Sequence, residues 1–328
     1  MLDLPPKVSS LMVKVEEEIK KAVGETELDF LWEKSHSFLS KGGKMVRPLL
    51  VLLSHLVSGG GKEKEAIILA TSIELVHAAS LIHDDIMDEA RERRWGPSLH
   101  LEVGLRRAIV IGDYLFVKAF TQASKIGGRI PMEIGRACSR MAEGQLLQEE
   151  YRFSEISIEK YLEIVKRKTS SLFSVACKCG GLLSHRFERE LELFGEKYGV
   201  IYQICDDVLD VVGLEEFTGK TRGSDVRGGF FTAPSILSLE SLREAGDMER
   251  AERFSSIVKS RWNTKSDVEF AIRTMVESGG VDKSLDLCRE YVSQAIKIIS
   301  ELPNSEYREA LEKITLNTLE RTKELAGT

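Results

Sequence analysis

The sequence predicts an all-α protein, and several observations lead to that prediction. The chain of 328 residues contains only seven prolines, and none lies between Pro131 and Pro234. This spacing permits long helices, because a proline inside a helix costs roughly 3 kcal/mol. Apolar residues recur every three or four positions, as in the stripe that contains Leu162, Val165 and Phe173, and this is the helical period. Asn-Gly and Asp-Gly pairs, which favour β-hairpin turns, do not occur in the sequence.

Short glycine-rich breaks divide the helical pattern into segments. They fall at residues 58–61, at Gly96-Pro97, at Gly127-Gly128, between Gly213 and Gly229, and at 278–280. No break is long or biased enough in composition to act as an interdomain linker. We therefore predict a single domain that covers residues 1–328, a large bundle of roughly ten or more helices with the most apolar segments inside.

The composition argues against several classes of protein. The formal net charge of −6 gives no support to a nucleic-acid partner, which needs a basic surface. The five cysteines lack paired CxxC spacing, so we expect neither a disulfide scaffold nor a structural zinc site, and we expect a cytoplasmic location without a signal peptide. The apolar segment 66–83 contains Glu74 and His77 and is barely long enough to span a bilayer. We predict that it is a buried helix and that the chain has no transmembrane span.

Two short stretches place several aspartates beside apolar sequence, LIHDDIMD at residues 81–88 and QICDDVLD at 203–210. We call them the first and second aspartate clusters; their members are Asp84, Asp85 and Asp88, and Asp206, Asp207 and Asp210. On a helix, the first and last aspartates of each cluster share a face, and the middle one is turned about 100° away.

Like charges at this spacing repel, and a hard divalent cation would offset the repulsion. Magnesium prefers carboxylate oxygens and takes its other ligands from water and substrate phosphates. The alternative is that each cluster merely faces water at a helix end, but two copies embedded in apolar sequence make that reading the weaker one. If the two clusters face each other, they form a cleft that can hold a diphosphate through bridging metal.

Basic residues surround these clusters in the sequence. Arginine forks and lysine ammonium groups both suit phosphate oxygens. Taken singly, each of them is more often a solvated surface charge. The basic groups lie in four short motifs, which contain Lys41, Lys44 and Arg47; Arg91, Arg93 and Arg94; Lys166, Arg167 and Lys168; and Lys220 and Arg222.

Together these motifs resemble those of the trans-isoprenyl diphosphate synthases, of the polyprenyl synthetase family, over nearly the whole chain. The marks are GGKMVRP, LIHDDIMD followed by an arginine pair, GDYLF at 112–116, KT at 168–169, and YQICDDVLD followed by GK and GSD. Each is weak alone, whereas their order and spacing together are highly specific. The resemblance implies the isoprenoid synthase fold, a helical bundle around a central cavity, and a homodimer.

The resemblance also implies a role for each residue that matches the family's motifs. The six aspartates would hold Mg²⁺, roughly three ions per active site, which bridge to the diphosphate of the allylic substrate. The direct contacts to that diphosphate would come from Arg93, Lys168 and Lys220. The second substrate, isopentenyl diphosphate, would be held by Lys44, Arg47, His77 and Arg94. Thr169 and Gln203 would lie near the developing allylic cation.

Four positions depart from the family's usual pattern. Met45 stands where the family often has arginine, Trp95 and Gly96 replace a common Gly-Lys pair, and Phe230 stands where members usually carry lysine. These departures affect the expected grip on the diphosphates and leave the core set of residues intact.

Product length depends, in this family, on the helix that precedes the first aspartate cluster. Ser80 and Ala79 lie four and five residues before Asp84, roughly 6–8 Å back along the helix axis. Because both side chains are small, we predict a product of geranylgeranyl length or longer. The alternatives are that they simply pack against a neighbouring helix, or that Phe116 or Phe120 closes the channel at farnesyl length.

Two rival functions remain for comparison. A terpene cyclase also combines an acidic cluster with magnesium, but its second motif usually mixes Asn or Glu with Ser or Thr, whereas residues 206–210 read DDVLD. A non-catalytic subunit of a heteromeric synthase tends to lose acidic residues, and none is lost here.

Overall fold

The computed structural model describes residues 4–93, 96–213 and 222–326, and it confirms the all-α prediction. The helices within these residues are α1 Pro6–Gly24, α2 Asp29–Ser40, α3 Val46–Val57, α4 Glu63–Met87, α5 Leu99–Val103, α6 Leu105–Ile126, α7 Ile130–Glu150, α8 Ile158–Val165, α9 Ser171–Leu183, α10 Glu188–Val212, α11 Ser224–Gly228, α12 Ala233–Glu244, α13 Met248–Val258, α14 Lys265–Glu277, α15 Gly280–Ser300 and α16 Glu306–Ala326. A π-helical segment, Lys166–Ser170, joins α8 to α9.

The predicted breaks separate helices, since α3, α6 and α14 end at Val57, Ile126 and Glu277. A small β-sheet accompanies the helices. Strands β1 (Glu92–Arg93) and β2 (Gly96–Pro97) pair antiparallel within the break after the first aspartate cluster. Each strand has two residues, which is too short for an alternating pattern to be visible in the sequence.

The chain forms two compact units, each assembled from several segments. Unit 1 contains Met1–Ser139, Leu172–Gly195 and Lys297–Ile314, and unit 2 contains Arg140–Ser171, Glu196–Ile296 and Thr315–Thr328. The single domain of residues 1–328 stays a prediction.

Unit 1 has α3 and α4 in its core. Helix α3 is buried at every position from Arg47 to Val57, as expected for a helix that is apolar on all sides. Helix α4 is long and apolar enough to cross a membrane, but 72% of its most apolar window is buried inside the protein, which fits a core helix.

Helix α6 runs antiparallel to α4 in the same unit. The Ser72 hydroxyl, early in α4, donates to the Ala119 carbonyl, late in α6, at 2.8 Å. At the other end of the pair, His83 Nε2 lies 3.5 Å from Asp113 Oδ1. The end of α4 that carries the first aspartate cluster therefore lies beside the first half of α6.

In unit 2, Glu155 joins the loop after α7 to α12 and α13. Its carboxylate accepts hydrogen bonds from Arg243 Nη2 at 2.7 Å, Ser255 Oγ at 2.5 Å and Lys259 Nζ at 2.8 Å. Burial raises the pKa of this carboxyl, but the three hydrogen bonds and the Arg243 charge outweigh burial and lower the pKa to about 2. The folded state therefore favours the ionised form of Glu155.

Glu155→Gln should lower the free energy of unfolding by about 1–2 kcal/mol at pH 7. A carboxyl whose pKa is lower in the folded chain stabilises above its unfolded pKa, and this contribution disappears as the pH falls toward the folded value. Urea unfolding should therefore show the difference from the unmodified protein narrowing from pH 5 to pH 3. Glu252→Gln, an exposed change on α13, is the control; a difference for Glu155→Gln that does not depend on pH would refute the assignment.

Candidate active site

The first aspartate cluster lies at the end of α4 in unit 1. The helix ends at Met87, so that Asp84 is in its last turn and Asp88 follows it directly. The Asp88 N–H still donates to the Asp84 carbonyl at 2.8 Å, and Asp84 is half-buried while Asp88 is exposed. The expected spacing of one turn is therefore kept, with both carboxylates at least partly open to solvent.

The middle aspartate of this cluster is buried against an arginine. The Asp85 side chain is 2% exposed, and both of its oxygens accept from Arg93 Nε at 2.6 Å, with Arg93 Nη2 at 2.5 Å from Oδ1. A guanidinium at this distance compensates the charge of a carboxylate removed from water. Asp85 was predicted to bind metal and Arg93 to bind diphosphate, and their pairing was not predicted. Those assignments stay predictions, since the Asp85 oxygens keep further lone pairs and Arg93 keeps further N–H donors.

Arg47 and His77, which the resemblance assigns to isopentenyl diphosphate, are in contact. Arg47 Nη1 donates to His77 Nε2 at 3.1 Å, and the Arg47 Cζ atom lies 4.0 Å from the centre of the Phe173 ring. Met45 precedes α3 in the left-handed conformation, with φ of 47°, which is uncommon for a residue other than glycine. Lys44 is exposed on the loop before it.

The second aspartate cluster lies in α10, in unit 2. Asp206 is exposed, Asp210 is half-buried and Asp207 is buried. Asp207 Oδ2 accepts from the Tyr161 hydroxyl at 2.6 Å, and Oδ1 accepts from Gln203 Nε2 at 2.7 Å. The pKa of the Asp207 carboxyl is raised to about 7, chiefly by burial and also by the charges of Asp206 and Asp210, and the hydrogen bonds from Tyr161 and Gln203 oppose this rise.

The hydrogen bonds continue from Asp207 to the KT motif. The Thr169 hydroxyl donates to Gln203 Oε1 at 2.7 Å, and the Gln203 amide nitrogen donates to Asp207. Tyr161, Asp207, Gln203 and Thr169 therefore form one continuous network. Thr169 and Gln203 were expected to act at the same place, and the structure joins them directly. Tyr161 was not predicted, because no motif includes it.

The KT motif lies in the π-helical segment, which interrupts the apolar stripe that contains Leu162, Val165 and Phe173. Such segments contain an extra residue per turn and are frequent at functional sites. Helix α7 crosses this segment closely at Gly144, where a Cβ atom would lie 2.8 Å from Lys168 Cα and closer still to Lys168 N. Only glycine fits there, and the position of Lys168 is thereby fixed by α7.

Asp210 connects the end of α10 to the GSD motif. Its Oδ1 accepts from Ser224 N at 3.1 Å and Ser224 Oγ at 2.5 Å, and its Oδ2 accepts from Asp225 N at 3.1 Å. The carboxylate thus caps the first turn of α11 and links the last turns of α10 to that helix. The GSD motif had no predicted role, and in the structure its Ser224 and Asp225 bind the Asp210 carboxylate.

Three of the predicted or departing residues, Arg94, Trp95 and Lys220, lie outside the described residues. Gly96 pairs with Arg93 in the small sheet. Phe230 packs beneath a guanidinium, since Arg152 Cζ lies 5.1 Å from its ring centre.

The donor set of both clusters fits Mg²⁺. Asp84, Asp88, Asp206 and Asp210 offer carboxylate oxygens, the ligands that this hard cation prefers. Within residues 4–93, 96–213 and 222–326, no three His, Cys, Asp or Glu side chains are grouped closely enough to hold a metal ion by themselves. An ion that takes most of its ligands from water and substrate phosphates does not need such a group.

The two small residues that precede the first cluster differ in their exposure to solvent. Ala79 is fully buried, whereas Ser80 is half-buried and its hydroxyl donates to the His77 carbonyl at 2.9 Å. One further turn back, Val76 is fully buried. No aromatic ring of α4 occupies these positions.

Comparisons with known proteins agree with the motifs. A family model described as polyprenyl synthetase matches residues 29–275. A short chain isoprenyl diphosphate synthase from Methanothermobacter thermautotrophicus is 33% identical over 330 residues, which cover 98% of each chain. Component 2 of a heptaprenyl diphosphate synthase from Geobacillus stearothermophilus is 30% identical over 315 residues, covering 94% of this chain and 95% of that one.

The fold is also similar to solved structures. A polyprenyl synthase from Caulobacter crescentus CB15, complexed with calcium and isoprenyl diphosphate, superposes with a TM-score of 0.89 at 28% identity. The match covers 96% of this chain and 95% of that one.

Proposed function

The chain belongs to the polyprenyl synthetase family, and we propose that it is a magnesium-dependent trans-prenyl diphosphate synthase. It would join isopentenyl diphosphate head to tail to an allylic diphosphate and release pyrophosphate. The observation that carries the proposal is the shared construction of the two aspartate clusters. In each, the protein holds the middle carboxylate in a buried hydrogen-bonded position, while the first carboxylate, Asp84 or Asp206, is at least partly open to solvent.

The reaction begins when the C–O bond between the allylic carbon and its diphosphate breaks. Mg²⁺ held by carboxylates of the two aspartate clusters would supply positive charge that stabilises the leaving diphosphate. Arg93, Lys168 and Lys220 are proposed to contact the same oxygens, and their charges favour the bond cleavage. Isopentenyl diphosphate is proposed to be held so that its double bond lies close to the allylic cation and aligned with it. The residues proposed to hold it are Lys44, Arg47, His77 and Arg94.

The double bond of isopentenyl diphosphate then attacks the allylic cation, and a new carbon–carbon bond forms. Loss of a proton from the resulting cation gives the new allylic double bond, and the departing pyrophosphate is the proposed acceptor. Thr169 and Gln203 present oxygens that suit a nearby positive charge. Because the Thr169 hydroxyl and Asp207 fix both ends of the Gln203 amide, this environment requires little reorganisation during the reaction.

The enzyme assay that tests this function uses the purified chain alone, with radiolabelled isopentenyl diphosphate, Mg²⁺ and allylic primers of several lengths. A labelled prenyl diphosphate longer than the primer supports the synthase. Cyclic hydrocarbon would indicate a terpene cyclase. Turnover that appears only after a second subunit is added would indicate a component of a heteromeric synthase, the second candidate, which the likeness to a heptaprenyl synthase component favours.

The product is proposed to have geranylgeranyl length or more. Relatives are named for products from geranylgeranyl to nonaprenyl diphosphate, so family membership alone leaves the length open, including a farnesyl product. The support for a longer product comes from the part of α4 that precedes the first cluster. No bulky ring occupies positions 76, 79 and 80, which are Val76, Ala79 and Ser80.

Ala79→Phe should shorten the main product by at least one isoprene unit, because the added ring would narrow the path along α4. Chromatography of the dephosphorylated products measures the shift. Ala78→Phe is the matched control, since it adds the same ring to a neighbouring buried position turned about 100° away. If thermal unfolding shows that Ala79→Phe is folded and its product is unchanged, Ala79 does not line the path; Ala79→Leu repeats the test with a smaller group.

A homodimer is also proposed, and the exposed surface of α6 supports it. Leu105, Ile109, Val110 and Val117 are exposed apolar side chains of this helix, and a second copy of the chain could cover them. Light scattering of the purified protein distinguishes a dimer from a monomer of 36.8 kDa. The cytoplasmic location stays a prediction.

A further inference from the structure

The loop between α13 and α14 exposes a tryptophan. Trp262 is 89% exposed, more than any other large apolar side chain of the described residues. Tryptophan usually buries most of its surface, and its ring contributes a large apolar area. An exposed ring of this kind on a folded loop suggests contact with a partner that the isolated chain lacks.

The loop is held in one conformation. Ser260 Oγ accepts from the Trp262 N–H at 3.1 Å and donates to the Trp262 carbonyl at 2.8 Å. Asn263 Nδ2 donates to the Val226 carbonyl of α11 at 3.3 Å, and Thr264 begins α14 with a capping box. The backbone around the ring is therefore pinned on both sides, so that the ring projects from a preorganised support.

Positive charges flank the ring. Lys259, Arg261 and Lys265 lie within the seven residues 259–265, which contain no acidic residue. Lys259 is partly compensated by Glu155 at 2.8 Å, whereas Lys265 is 90% exposed and lies 3.9 Å from Glu269. Arg227 of α11, the helix that the Asn263 hydrogen bond joins to the loop, is also exposed, as is Arg222 two residues before that helix.

We infer that the loop Lys259–Lys265 docks on an anionic lipid bilayer, with the Trp262 ring at the level of the headgroups. Tryptophan favours the boundary between headgroups and acyl chains, and lysine and arginine near an anionic surface are attracted to it. The net charge of the chain is −6, so the protein as a whole is not drawn to such a surface. The local positive charge and the Trp262 ring together would therefore orient the protein on the bilayer.

Docking would also place a lipid surface near α11. The loop is connected to the second aspartate cluster through this helix, because Asn263 binds Val226 and the Asp225 N–H binds Asp210. A synthase with a long hydrocarbon product gains from a nearby bilayer when the product leaves. Only this consequence rests on the proposed function; the docking itself requires no substrate.

The test is sedimentation of the full-length protein with vesicles, without substrates. We expect binding to phosphatidylglycerol vesicles that weakens with salt, and much weaker binding to phosphatidylcholine vesicles. Trp262→Ala should weaken binding roughly tenfold, and Arg261→Glu should weaken it by at least about fivefold. Trp32→Ala, which removes a partly exposed tryptophan of α2, should bind as the unmodified protein does.

Fluorescence gives a second readout, because brominated lipids should quench the unmodified protein and Trp32→Ala more strongly than Trp262→Ala. Equal vesicle binding by Trp262→Ala and the unmodified protein would overturn the inference. So would an absence of binding to anionic vesicles, or equal binding to both lipids. If Trp262→Ala instead changes the mass measured by light scattering, the ring covers a second copy of the chain and the lipid assignment is wrong.

Discussion

Asp84→Asn is expected to lower kcat by about 100- to 1,000-fold while the protein stays folded. Asparagine keeps the shape of the side chain and removes the charge that would hold Mg²⁺ against the leaving diphosphate. Asp206→Asn, in the second cluster, should have an effect of similar size. Both residues lie at least partly in solvent, so that the loss of charge should have little effect on folding.

Steady-state assays at several Mg²⁺ concentrations measure this effect. The variants should also need more Mg²⁺ to reach half of their maximal rate, which a purely structural change would not produce. Asp29→Asn, an exposed change at the start of α2, serves as the control. Activity within a few-fold of the unmodified enzyme in both variants would exclude the two clusters as the metal-binding groups.

Gly144→Ala is expected to destabilise the protein by about 1–3 kcal/mol and to lower kcat at the same time. The added methyl group would lie 2.8 Å from Lys168 Cα, a backbone atom that cannot rotate away. The π-helical segment would have to shift, and Lys168 and Thr169 would shift with it. A methyl group added on a neighbouring helix would thus displace two residues proposed to act on the allylic substrate.

Gly135→Ala is the matched control for this prediction, because it lies on the same helix. Its added methyl group would meet Phe120 at 3.9 Å, an ordinary contact, so that alanine should be neutral or stabilise by up to about 1 kcal/mol. Urea unfolding and kinetics of both variants decide the matter. If both unfold alike and turn over alike, the contact between Gly144 and the KT motif does not position Lys168.

The helices and their breaks could be predicted because both are local properties. Proline spacing, apolar period and glycine position act within a few residues, and they placed the ends of α3, α6 and α14 closely. The π-helical segment could not be predicted in this way. It interrupts an apolar stripe that is continuous in the sequence, and it lies against Gly144 of another helix.

The members of the candidate site were found by motif, but their partners were not. Asp85 pairs with Arg93, and Asp210 caps the helix that begins at Ser224. The residue types alone do not show whether such side chains bind each other or bind metal and phosphate. Tyr161 was missed because it belongs to no motif, and its hydroxyl reaches Asp207 of another helix, 46 residues later in the chain. Charge type is visible in a sequence, whereas the partner of each charge depends on three-dimensional contacts.

The most direct measurement of the proposed reaction is the ratio of pyrophosphate released to isopentenyl units incorporated, determined for the purified chain with Mg²⁺ and an allylic primer. Ionisation followed by condensation predicts one pyrophosphate for each unit added, at every product length. Pyrophosphate released without incorporation would mean that the allylic cation is captured by water or cyclises, and it would contradict a synthase.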